Sequence, residues 1–173
     1  MLHETYQKLR GRYQSQPINC YIAQVEFHIY NNPTEGVLLI DAQRTLCREM
    51  VGRLENSKTG FLVQAEEIDL IKLGGDLRER IRGGWFGDLK IADVSTIGMF
   101  GSTVGESEEW QRFEQIGQLN AIDLDLDLSG MRLLVKIMSN RGMVTFENLS
   151  EGLTLRTLLQ IQKELDKYKV VIK

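Results

Sequence analysis

Residues Ala121–Gly130 read AIDLDLDLSG, and Met131–Met138 continue as MRLLVKIM. Asp123, Asp125 and Asp127 alternate with Leu124, Leu126 and Leu128, the two-residue period of a strand with one acidic and one apolar face. The same D-x-D-x-D spacing is also a candidate metal site. An EF-hand loop beginning at Asp123 needs glycine at its sixth position and glutamate at its twelfth, where this chain has Leu128 and Leu134. Along a strand the three carboxylates stand about 6.5–7 Å apart, too far to hold one ion unaided. The stretch therefore reads as a strand ahead of a tight Ser129-Gly130 turn, with the leucines turned inward and the aspartates outward.

Outward from this strand, Arg132–Met138 and Met143–Glu147 read as its antiparallel successors, joined by Ser139-Asn140-Arg141-Gly142. Thr154–Tyr168 reads as a helix with Leu155, Leu158, Leu159, Leu165 and Tyr168 on or beside one face, and KVVIK follows as a short strand. Upstream, Ser107 opens a capped helix to about Leu119, with Trp110, Phe113 and Ile116 as its apolar stripe. CYIAQVEFHIY, Cys20–Tyr30, has strand alternation, and Asp41 is placed to cap a helix from Ala42 to about Asn56. Phe61–Leu73 shows no clean period. GGDLRERIRGGWFG reads as a mobile loop or a helical turn between glycine hinges, and Asp88–Met99 as one strand. The order predicts an α+β fold: a single domain over residues 18–173, with a mainly antiparallel sheet and three helices packed on it. A flexible basic arm over residues 1–17 precedes it. A parallel doubly wound fold is the alternative.

The chain has 173 residues, 42% hydrophobic and 26% charged, with two prolines, values ordinary for one folded domain. No apolar run approaches the roughly 20 residues of a membrane span, and Met1–Tyr13 is too polar for a signal peptide. With only Cys20 and Cys47 and no paired spacing, a reducing, cytoplasmic setting is expected, and secretion is not. The net charge of −3 is unevenly spread. Lys8, Arg10 and Arg12 give the arm its basic character, and Arg78, Arg80 and Arg82 run directly into Trp85 and Phe86. Glu106, Glu108 and Glu109, with Asp123, Asp125 and Asp127, form the acidic counterpart. Cations beside large aromatics suit contact with anionic membrane, an acidic protein or nucleic-acid bases, and the acidic row suits self-association with the basic segments of another copy.

Catalytic signatures fail one by one. GMFGSTVGES lacks the lysine of a phosphate loop, G-x-G-x-x-G and G-x-S-x-G do not occur, and His3 and His28 are the only histidines. No nucleophile, base and oxyanion set assembles, so neither catalysis nor a cofactor is expected. The competing reading is a small cytosolic enzyme or ligand-binding domain that uses Asp123, Asp125 and Asp127 with a divalent ion.

In plan, the chain resembles the compact matrix proteins of rhabdoviruses, in the short form of plant-infecting members. QVEFHIYNN leading into the helix from Ala42, then GDLKIADVSTIGMFGS, the hairpin region and TLRTLLQIQKELDKY occupy places similar to the elements of that family. The family's P-P-x-Y signal is absent, while Tyr6-Gln7-Lys8-Leu9 fits Y-x-x-L. The resemblance implies a non-enzymatic structural protein of host cytoplasm and virion. Such a protein self-associates, condenses the viral nucleocapsid and bridges it to membrane, with at most weak or indirect contact to nucleic acid.

Overall fold

In a computed structural model of the chain, the described residues are 2–7, 11–13, 16–18, 21–57, 63–128, 130–142, 144–146 and 154–170. They divide into two compact units, Met1–Gln64 and Ala65–Lys173. In the first, β1 (Leu2–Gln7) pairs antiparallel with β4 (Tyr21–Glu26), and β2 (Gly11–Tyr13) pairs with β3 (Gln16–Ile18). Residues 1–17, expected as a flexible arm, thus include two strands and the start of a third. Backbone groups supply ladder bonds without requiring an apolar face, so side-chain periodicity gave no sign of this pairing. β5 (His28–Asn32) and β6 (Val37–Asp41) form a further hairpin. Helix α1 (Arg44–Glu55) starts after Gln43. Asp41, expected as its cap, instead ends β6 opposite His28.

The second unit runs α2 (Leu70–Asp76), β7 (Ile81–Ile91), β8 (Val94–Phe100), α3 (Glu108–Ile116), β9 (Gln118–Leu128), β10 (Met131–Met138), β11 (Val144–Phe146) and α4 (Leu155–Asp166). Its five strands form one antiparallel sheet in the order β11-β10-β9-β7-β8. The α+β class with an antiparallel sheet is as the sequence predicts, but among the described residues the α-helices number four, not three. The additional one, α2, arises in the segment without a clean period, where the Asp69 carboxylate accepts the Lys72 N–H at 3.0 Å as a cap. No helix among the described residues is long and apolar enough to cross a membrane.

β7 takes the second half of the segment expected as a glycine-hinged loop or helical turn, after the end of α2 and a 3-10 turn at Arg78–Arg80. Its core-facing positions Ile81, Gly84, Phe86 and Leu89 are spaced three, two and three apart, because register shifts interrupt the ladders between Ile81 and Gly83, between Trp85 and Phe86 and again after Gly87. Such bulges insert residues that leave the period-two count, so the strand is invisible to simple alternation. Asp88–Met99, expected as one strand, is split into β7 and β8 by a two-residue turn at Ala92 and Asp93. Asp93 sits there at φ 62°, a left-handed conformation that aspartate tolerates.

The three helices of this unit share one core with the sheet, built on Ile81, Phe86, Ile122, Leu124, Val135 and Ile137. Trp110 lies at its centre, fully buried. The Ser107 hydroxyl accepts the Trp110 backbone N–H at 3.1 Å and starts α3 at the position that lays the indole over Gly84. A Cβ at Gly84 would collide with the ring, so a side-chain-free position is required there. The indole meets Phe86 edge-on at 4.8 Å between centroids, and its N–H donates to Glu114 Oε1 at 2.8 Å. Glu114 in turn pairs with Arg78 at 3.4 Å, so the polar end of the buried ring is satisfied. Trp110→Ala is expected to destabilise the chain by about 3–5 kcal/mol, and Gly84→Ala by roughly 1–3 kcal/mol, in denaturant unfolding. A near-neutral result for both would contradict this packing.

Candidate functional site

The face of the sheet opposite Trp110 is organised by register. One row crosses it as Phe100, Gly83, Asp123 and Lys136, and the next as Gly98, Trp85, Ala121 and Met138. Strand alternation sends Leu124 and Leu126 into the core and the aspartates to this face. Lys136 Nζ stands 3.3 Å from Asp123 Oδ1. Asp125 is held from two sides: Arg82 reaches it at 3.2 Å, and Arg132 meets it through Nε at 2.8 Å and through a further guanidinium nitrogen. Arg82 comes from the bulge between Ile81 and Gly83, and it also donates to the carbonyls of Glu79 and Ser102. Hydrogen bonding from Arg132, reinforced by the charges of Arg132 and Arg82, holds the Asp125 carboxyl below its ordinary value of 3.8, against the opposing effect of burial.

Beside this charge ladder lie two aromatic rings. Trp85 and Phe100 meet edge to face at 5.3 Å and remain 39% and 59% exposed. Each ring covers a glycine of the neighbouring strand. A Cβ on Gly83 would stand 2.6 Å from Phe100 Cδ1 and 2.8 Å from Asp123 Oδ2, and one on Gly98 would stand 2.9 Å from Trp85 Cζ3. The rings therefore lie against the sheet and fill the gaps that the glycines leave.

The structure thus joins two sequence clusters that the acidic self-association reading assigned to different copies: Arg82 and Asp125 pair within one chain. Asp127 is exposed, and its carboxylate accepts the Gly130 N–H at 3.1 Å, bracing the hairpin turn. Arg78 is drawn to Glu114, and the half-buried Arg80 stands 4.0 Å from Glu79. Phe86, expected with Trp85 in the contact set, is fully buried, since consecutive strand residues face opposite ways. Glu106 is exposed in a short 3-10 turn, and Glu108 and Glu109 are exposed in the first turn of α3, where the helix dipole favours acids. They are not part of the ladder. Lys8 and Arg10 lie outside the described residues, and Arg12 falls in β2.

As for a divalent ion on the aspartate row, Asp123 and Asp125 are already engaged by Lys136, Arg82 and Arg132. Among the described residues no three His, Cys, Asp or Glu side chains gather as a metal site. Arg132, Lys136 and Phe100 were missed at the level of sequence. The first two were within reach: counting back across the Ser129-Gly130 turn sets Arg132 opposite Asp127 and Lys136 opposite Asp123.

A carboxylate with a lowered pKa stabilises the fold above its unfolded value, and that contribution is lost as pH falls through the folded one. Asp125→Asn is therefore expected to lower the thermal midpoint by a few degrees at neutral pH, with the gap to the parent protein closing as pH falls below about 3.8. A constant gap from neutral to strongly acidic pH would show that the ladder does not stabilise through charge.

Comparison with protein-family models, with curated proteins and with solved structures gives no match to this chain.

Proposed function

We propose that this chain is a non-enzymatic structural protein that works by docking other proteins on the open face of its five-stranded sheet. The observation that carries this reading is the Trp85–Phe100 pair, two large rings in edge contact, lying over glycines and left open to solvent. Each such ring gains about 1.5–3 kcal/mol when fully buried, so the pair is a strong anchor for anything that covers it.

The surrounding charges favour a protein over a polyanion. Arg82 and Arg132 share Asp125, Lys136 pairs with Asp123, and the charge of Asp127 also acts on Arg132, so three cations face three carboxylates and a phosphate backbone or an anionic bilayer would compete with interactions already made. An aromatic centre with a rim of paired charges is the usual anatomy of a protein interface. The resemblance to rhabdovirus matrix proteins names the first partner to test on this face: the viral nucleocapsid. In that reading the protein works in host cytoplasm and virion, and any membrane contact is peripheral.

Co-sedimentation with plant-rhabdovirus nucleocapsids tests this, with naked RNA and phosphatidylserine vesicles as parallel arms. Binding to nucleocapsids should survive high salt and weaken roughly tenfold or more in Trp85→Ala or Phe100→Ala, with unfolding midpoints little changed. Binding only to RNA or vesicles, or binding indifferent to both substitutions, would overturn the proposal.

A further inference from the structure

Among the described residues β8 is an edge of the sheet, hydrogen-bonded along one side to β7. Its sequence, VSTIGMF, has seven residues without a charge or a proline, and Ser95, Thr96, Gly98 and Phe100 are exposed. Soluble proteins ordinarily guard such an edge with lysine, proline, a bulge or a very short strand, because the unpaired N–H and C=O groups accept any further strand. The opposite edge, β11, has that protection in being three residues long. β8 has none of these devices: the register shifts near it leave the extra residues in β7.

We infer that β8 is a self-pairing edge, along which two copies of this chain join β8 to β8 antiparallel about a two-fold axis. The occupant is a second copy for two reasons. Two-fold pairing satisfies both open rims at once and closes the assembly, where a head-to-tail arrangement would leave a rim free. The strand is also compatible with itself, since an uncharged segment meets no like charge across the axis. Centring the axis on Ile97 uses all seven residues and sets Phe100 opposite Val94 of the partner subunit. The product is one continuous sheet of twice the width that carries two Trp85–Phe100 anchors on the same face. A multivalent target would then be held by both anchors together. The rim of the sheet makes this contact and the face does not, so it stands apart from the partner proposed for the face.

Sedimentation equilibrium of the full chain over a concentration series tests the pairing, together with backbone amide exchange at low and high concentration. A monomer–dimer equilibrium is expected, with slower exchange over Val94–Phe100 at high concentration. Ser95→Lys and Thr96→Lys, exposed and pointing to opposite faces, should each raise the dimer Kd roughly tenfold or more. Circular dichroism confirms that the variants fold, and the exchange measurement needs no variant. A chain that stays monomeric throughout, or a dimer whose β8 amides exchange equally at all concentrations, would overturn the inference. So would a dimer that withstands both lysines.

Discussion

The indole of Trp110 against the bare backbone of Gly84 is the contact on which the rest of residues 65–173 depends. It sets the height of α3 over β7, and it aligns the Ser107 cap with the start of that helix. It also requires the Glu114–Arg78 pair that keeps the indole N–H satisfied in the core. With Trp110 and Phe86 filling the space beneath β7, the helices of this unit have one sheet face to cover, and they cover it. The other face is left to the side chains that strand alternation sends there.

That second face is built by the same device in reverse. Beneath the sheet, a glycine admits a ring from a helix; above it, Gly83 and Gly98 let Phe100 and Trp85 each lie down across the neighbouring strand. The bulge that delivers Arg82 to Asp125 completes a ladder of charges already neutralised within the chain. What remains to attract a partner is apolar, which is why the proposed docking is anchored by rings. The proposed self-pairing at β8 is separate from the proposed docking on the face, being made through backbone hydrogen bonds at the rim of the sheet.

Legibility in the sequence followed physical regularity. β9 and β10 were readable because AIDLDLDL keeps a strict period of two and is followed by a short turn, and α3 and α4 because Ser107 and Thr154 cap clear apolar stripes. β7 was not, since bulges displace Ile81, Gly84, Phe86 and Leu89 from any constant spacing and its glycines resemble hinges. The same misreading concealed the candidate site. Without β7 as a strand, Trp85 and Phe86 look like neighbours on a loop, and Phe100 has no reason to lie beside Trp85. The aspartate row was correctly turned outward, but its cations were hidden one strand away in Arg132 and Lys136, visible only once register is counted through the turn.

The central claim is that the sheet buries one tryptophan and presents the other. The chain has two tryptophans, so single-tryptophan variants Trp85→Phe and Trp110→Phe isolate each for acrylamide quenching. The account predicts that Trp110 alone emits at shorter wavelength and resists quenching, while Trp85 alone emits at longer wavelength and is quenched several-fold more steeply. Equal quenching of the two, or the reverse order, would contradict it.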